Sequence, residues 1–236
     1  MLQILNTIEK LGVEKTNRDI GLLEHRLIES YKFGYGSRME LGDPAFDNGI
    51  YQTERNITRP SFVKDYVLPR YNEDHTNADP RRYLLHEHHD EAHDKGTAHV
   101  SVLTRDMAVS VTSTVNLEWG CGYLDGKTGI VLNNEMDDYS TPYQNNSFGL
   151  VPSPRNYIEP GKRPLSSSTP VIVRKNGKTV LVIGAAGGSR IITATAQAMV
   201  DILGRKMKPD EAIHRCRLHH QLFPDWVSCF VAPLNR

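Results

Sequence analysis

The chain has 236 residues, 24% of them charged, with Lys+Arg and Asp+Glu balanced at 28 each. That is length for one good-sized core or two small ones, and a formal net charge of zero with no basic patch argues against a nucleic-acid partner. Mean hydropathy is −0.46, and the longest apolar stretch, around Val180–Ala186, is far too short to span a bilayer.

Residues 2–12 predict a short amphipathic helix that stops at Gly12, and without a charged segment ahead of it this start does not read as a signal peptide. Residues 17–34 predict a longer helix, because Ile20, Leu23, Leu27 and Tyr31 recur at helical spacing; Gly34 and Gly36 are expected to end it. Gly42-Asp43-Pro44 is a turn signal, and Pro60 or Ser61 opens a short helix through Val67. Residues 73–96 are polar. His86, His88, His89 and His93 fall among them, but HEHHD lacks the HExxH zinc pattern, so a mobile linker is expected and no metal site. Strands are predicted over 98–104, 107–115, 129–133, 170–175 and 178–184. From Gly188 to about Leu203 the period turns helical, and Pro209 with Asp210 and Glu211 starts another helix. Cys121, Cys216 and Cys229 are scattered, and neither a metal site nor a disulfide framework is expected of them. The sequons Asn56-Ile57-Thr58 and Asn145-Asn146-Ser147 would accept glycans in a secretory compartment. Helices, then strands, then a helix argue an α+β protein.

Gly96-Thr97 is the junction on which a chemical reading turns. Thr97 stands where a polar loop meets the first strand of a predicted pair. Cutting the 96–97 bond would leave a residue bearing both a hydroxyl and an α-amine, a nucleophile with its own general base. The amine suits that role because it titrates at about 7.7–8.0 when unperturbed. Glycine at 96 would allow the strained turn that attack on its own carbonyl requires.

The Thr97 run, LNNEMDDYS at 132–140, KRPLSSSTP at 162–170 and GAAGGSRIIT at 184–193 follow in order. Together they resemble the small subunit of γ-glutamyltransferase (glutathione hydrolase), an N-terminal-nucleophile hydrolase. MLQILNTIEK and ELGDPAF resemble the end of that family's large subunit. The resemblance implies an αββα four-layer sandwich, incomplete here, with residues 1–96 large-subunit-like and 97–236 small-subunit-like, the match fading after about 222. It implies self-cleavage at Gly96-Thr97, two subunits that stay paired, and γ-glutamyl transfer from glutathione and its conjugates to water, amino acids or dipeptides. No cofactor and no metal are implied. Thr97 would be the nucleophile, Thr114 the hydroxyl beside it, and Gly187 and Gly188 the oxyanion hole. Asn116, Glu135 and Asp138 would take the donor ammonium, and Ser166 and Ser167 its α-carboxylate. The family is secretory: extracellular, vacuolar or membrane-associated.

Three departures qualify this expectation. The turn Thr104–Met107 is one residue shorter than the family's usual form. No residue can be assigned to the family Arg that clamps the donor carboxylate. Residues 225–236 do not resemble the family C-terminus. A copy truncated at both ends is therefore expected, with sheet edges exposed and low stability and activity. The alternatives are a catalytically inactive fragment that binds or supports another subunit, and a related hydrolase acting on another acyl amide.

Overall fold

The computed structural model describes residues 1–13, 19–89, 96–144 and 151–230. Helices come first: α1 (Leu2–Leu11), α2 (Ile20–Arg38), α3 (Asn48–Ile57) and the single turn α4 (Pro60–Phe62), which runs into a π-turn over Val63–Val67. The strands follow as β1 (His88–His89), β2 (Thr97–Leu103), β3 (Ala108–Thr114), β4 (Val151–Pro152), β5 (Val171–Lys175) and β6 (Lys178–Ile183). Helices α5 (Arg190–Met199) and α6 (Pro209–His214) precede the last pair, β7 (Arg217–His219) and β8 (Ser228–Phe230). Among the described residues no helix is long and apolar enough to cross a membrane.

The helices build the core. In α1 the apolar face of Ile4, Ile8 and Leu11 is buried, and Gly12 ends it in the left-handed region at φ 66. The Asp19 carboxylate caps α2 by accepting from the Leu22 N–H at 2.9 Å. The expected end of α2 at Gly34 is wrong: the helix runs through Gly34 and Gly36 to Arg38. These glycines are there for close approach. A Cβ at 34 would overlap the Ile4 side chain of α1, and one at 36 would overlap the Tyr83 carbonyl. From Glu29 on, α2 is buried almost all round, charged residues included, and each charge has a partner. Glu29 accepts from Tyr83 Oη at 3.0 and 3.1 Å, and Lys32 Nζ donates to Thr76 Oγ1 and the Asn77 carbonyl, both at 3.1 Å. One cluster joins α1 and α2 to Tyr83, Leu84, Ile192, Ala196, Val200, Leu218, Leu222 and Phe223. Both halves of the chain therefore share a single core.

Residues 73–89 are not the mobile linker expected. Tyr83 is fully buried, Leu84 nearly so, and His86 and His88 bond Glu40 at 2.8 and 3.2 Å. The apolar pair inside that polar run is what fastens it to α2. His93 lies outside the described residues, as does the second sequon.

The strands pair two by two, β1 with β4, β2 with β3, β5 with β6 and β7 with β8. This is the α+β architecture expected. The β2–β3 hairpin meets β6 where Ser110 Oγ donates to the Ile183 carbonyl at 3.1 Å. Its other face is open: Val100, Val102, Val109 and Val111 are all exposed. The strand expected over 129–133 does not form. Gly129 sits at φ 71 closing a turn on Asp125, and a single bridge, Leu124 to Val131, replaces it. The reading of the cysteines is also corrected. Cys216 and Cys229 are disulfide-bonded, their Cα atoms 6.0 Å apart across the β7–β8 pair. Strand pairing brings them together, which spacing along the chain does not reveal.

Candidate active site

Antiparallel register sets Thr97 directly opposite Thr114. Thr97 Oγ1 donates to Thr114 Oγ1 at 3.2 Å, and Thr114 Oγ1 donates to the Gly96 carbonyl at 3.4 Å. The Asn116 N–H donates to Thr114 Oγ1 at 2.8 Å. One hydroxyl has one proton and two lone pairs. Thr114 uses all three, touching both the hydroxyl of Thr97 and the carbonyl ahead of it. Gly96 holds φ 86, and a Cβ there would overlap the Leu117 carbonyl. Only glycine fits that turn.

Asn116 is buried and itself at φ 70, a conformation that Asn tolerates better than most residues. Its Nδ2 donates to the Asn134 carbonyl at 3.1 Å, and Asn134 Oδ1 accepts from the Leu117 N–H at 3.0 Å. This reciprocal clamp ties the end of β3 to the 3₁₀ turn Glu135–Asp138. The Glu135 and Asp138 carboxyls hydrogen-bond each other, and burial pushes the Glu135 pKa upward while that bond opposes it. Once the proton between them is lost, two carboxylates held together suit a cation such as an ammonium group. Asp137 belongs to the same turn, where its N–H donates to the Asn134 carbonyl at 3.0 Å.

Ser166 and Ser167 lie in a loop held from two sides. Arg163 grips buried Asp43 with its backbone N–H at 3.0 Å, Nε at 2.9 Å and Nη2 at 2.6 Å. These bonds from Arg163 hold the Asp43 carboxyl well below the usual carboxylate range. From α2, Arg38 Nη2 donates to the Leu165 carbonyl and to Ser167 Oγ, both at 3.1 Å. Ser166 Oγ accepts from the Ser168 N–H at 3.1 Å.

Gly187 and Gly188 open α5 at φ 120 and 56, and their carbonyls accept from the Arg190 and Ile191 amides. The loop reaches the Thr97 hairpin through Gly184, which packs on the His99 ring, and Ile183. Among the described residues neither glycine is hydrogen-bonded to Thr97. Direct bonds thus join Thr97, Thr114 and Asn116, and Asn116 ties them through Asn134 to the turn that carries Glu135 and Asp138, while the Ser pair and the glycine turn lie on separate loops. Sequence reading passed over Asn134, Asn156 and Arg38. The two Asn residues look like ordinary turn formers, and nothing local to Arg38 marks the loop that it reaches.

A family model described as gamma-glutamyltranspeptidase matches residues 1–229. The chain belongs to the gamma-glutamyltranspeptidase family. It is 42% identical over 209 residues to a glutathione hydrolase proenzyme of Arthroderma benhamiae, a match covering 86% of this chain and 35% of that one. It is 40% identical over 229 residues to glutathione hydrolase 3 of Arabidopsis thaliana, covering 97% and 35%. The chain therefore spans about a third of the length of these curated relatives. Another Arabidopsis thaliana relative, 40% identical over 193 residues, is covered to 98% of its length; its name provisionally calls it inactive glutathione hydrolase 4. Among solved structures, a mutant Helicobacter pylori gamma-glutamyltranspeptidase superposes with TM-score 0.51 at 45% identity, over 56% of this chain and 72% of that one. An acivicin-inhibited gamma-glutamyltranspeptidase, whose C-terminus has roles in autoprocessing and catalysis, gives TM-score 0.52 at 44% identity, over 58% and 75%. The fold is thus that of this family of N-terminal-nucleophile hydrolases.

Proposed function

We propose that the chain cleaves itself at Gly96-Thr97 and then hydrolyses or transfers γ-glutamyl groups through Thr97. The observation that carries this reading is the Thr97–Thr114–Gly96 contact set. In the first reaction Thr97 Oγ attacks the Gly96 carbonyl carbon, its proton leaves toward the departing nitrogen, and the peptide becomes an ester with a free Thr97 amine. Water opens the ester to a Gly96 carboxylate and a free Thr97. In the second, the Thr97 amine takes the hydroxyl proton while Oγ attacks a γ-glutamyl carbonyl. The amine product departs with that proton and a γ-glutamyl ester remains. Water releases glutamate; an amino-acid or dipeptide amine instead forms a new γ-glutamyl amide.

Glutathione and its conjugates carry an α-ammonium and an α-carboxylate. Glu135 and Asp138 face the first and Ser166 and Ser167 the second, while Asn116 orders the β3 end between nucleophile and carboxylates. Arg38 at Ser167 adds a cation on the carboxylate side. Gly187 and Gly188, at the start of α5, are the proposed oxyanion donors. The shared core supports pieces 1–96 and 97–236 staying paired after cleavage. Disappearance of γ-glutamyl anilide but not of a simple acyl anilide tests the reading; equal rates would favour a general acyl-amide hydrolase. The inactive-fragment reading is favoured by the relative that the match covers to 98% of its length and that is provisionally named inactive. No release from either anilide is its expected outcome.

A further inference from the structure

Asn156 is completely buried, yet none of the reactions above uses it. Its Nδ2 donates to the Asp138 carbonyl at 2.8 Å, and its Oδ1 accepts from the Leu165 N–H at 3.0 Å. Asp138 ends the turn that carries the paired carboxylates, and Leu165 precedes the two Ser residues. The intervening chain, 139–164, is long enough for these loops to drift apart unless something fixes them.

The turn bearing Asn156 is itself anchored. Ser153 Oγ donates to the Met39 carbonyl at 2.7 Å, and Arg155 Nη1 donates to the Glu40 carbonyl at 2.8 Å and to Thr53 Oγ1 at 2.9 Å. The Asn156 carbonyl accepts from the Ser140 N–H at 3.0 Å. The platform is therefore the C-terminal end of α2, the same end that sends Arg38 to Ser167.

We infer that Asn156 is a positioning residue that sets the distance between the ammonium-binding carboxylates and the carboxylate-binding hydroxyls, and so selects ligands bearing both charges of an α-amino acid. This rests on the head-group assignment proposed above. An amide fits because the loops present one acceptor, the Asp138 C=O, and one donor, the Leu165 N–H. An Asp at 156 would still accept from Leu165 but would set a second oxygen against the Asp138 carbonyl. The bond that fixes the Asp138 carbonyl would be lost and the one from Leu165 kept, loosening one arm of the site relative to the other.

The test is calorimetric binding of L-glutamate, glutarate and 4-aminobutyrate to the full chain. Glutarate lacks the ammonium, and 4-aminobutyrate lacks the α-carboxylate. The unsubstituted chain is expected to prefer glutamate over each by about tenfold or more, and Asn156→Asp and Asn156→Ala to lose most of that preference with little change for the one-charge ligands. Ser140→Ala removes the 3.4 Å bond from Asn156 Nδ2 but leaves the Asn156 bonds to Asp138 and Leu165, and should keep the preference. Equal weakening of all three ligands, or a retained preference, overturns the role of Asn156 while leaving the head-group site standing. No preference in the unsubstituted chain overturns both. Should the Asn156 variants unfold, the Leu165 amide decides: slow hydrogen exchange, slowed further by glutamate alone, is expected, and unprotected exchange overturns the proposal.

Discussion

Thr114→Val isolates the contribution of one hydroxyl. Val matches Thr in shape and in strand preference, so β3 keeps its register and its backbone bonds. What goes is the 3.2 Å bond from Thr97, the 3.4 Å bond to the Gly96 carbonyl and the 2.8 Å bond from the Asn116 amide. In the proposed self-cleavage the first two would align the attacking oxygen with its target. At about 0.5–1.5 kcal/mol each, their loss corresponds to a roughly five- to 160-fold slower self-cleavage. The third leaves a buried amide at a left-handed residue without its partner, costing about 1–3 kcal/mol. A time course of intact mass measures the first effect, and urea unfolding the second. Thr114→Ser keeps the hydroxyl and should recover most of the cleavage rate. Cleavage of the Val variant at the parental rate would refute the reasoning, because the contact set would then be packing alone.

Three further outcomes follow from the geometry. Gly36→Ala should lower the melting temperature even though Ala favours a helix over Gly by up to about 1 kcal/mol, because the new methyl overlaps the Tyr83 carbonyl; a rise would contradict the close packing of α2 on residue 83. Donor binding should weaken as pH falls through a value above the ordinary Glu range, since burial raises the Glu135 pKa and the protonated form cannot pair with an ammonium. Glu135→Gln should shift that limb of the KM profile, and an unmoved limb would remove Glu135 from the site. Burial, with Lys32 nearby, lowers the His220 pKa to about 4, so its ring stays neutral in the fold. Its Nδ1 accepts from the Leu222 N–H at 3.0 Å, and its Nε2 lies 3.2 Å from Asp225 Oδ1. Unfolded His binds a proton near pH 6.5 and the folded ring does not, so stability should fall as pH drops from about 6.5 to about 4. His220→Asn should flatten the urea midpoint across that window, and an unchanged slope would contradict the burial of the ring.

Local signals were readable in the sequence, and contacts across the chain were not. The Gly12 stop, the 97–114 hairpin and the start of α5 all follow from periodicity and terminating residues near at hand. The end of α2 does not, because Gly34 and Gly36 answer to Ile4 and Tyr83 and not to their helical neighbours. The Cys216–Cys229 bond was invisible for the same reason: it depends on β7 finding β8. In the 129–133 stretch the apolar alternation was present, but Ile130 and Leu132 have no layer to bury them and stay exposed. Within the candidate site, Thr97 opposite Thr114 could be expected from a hairpin with a short turn. Asn134 and Asn156 could not, since an Asn in a loop carries no mark of which distant backbone groups it joins.

The central claim is that Thr97 attacks the bond in front of it. Intact mass and N-terminal sequencing of the purified chain, beside Thr97→Ala, address it directly. The account predicts a fragment beginning at Thr97 from the parent and a whole chain from the variant. A parent that stays whole alongside the variant would contradict it, and the Thr97–Thr114 pair would then be part of a strand register and nothing more.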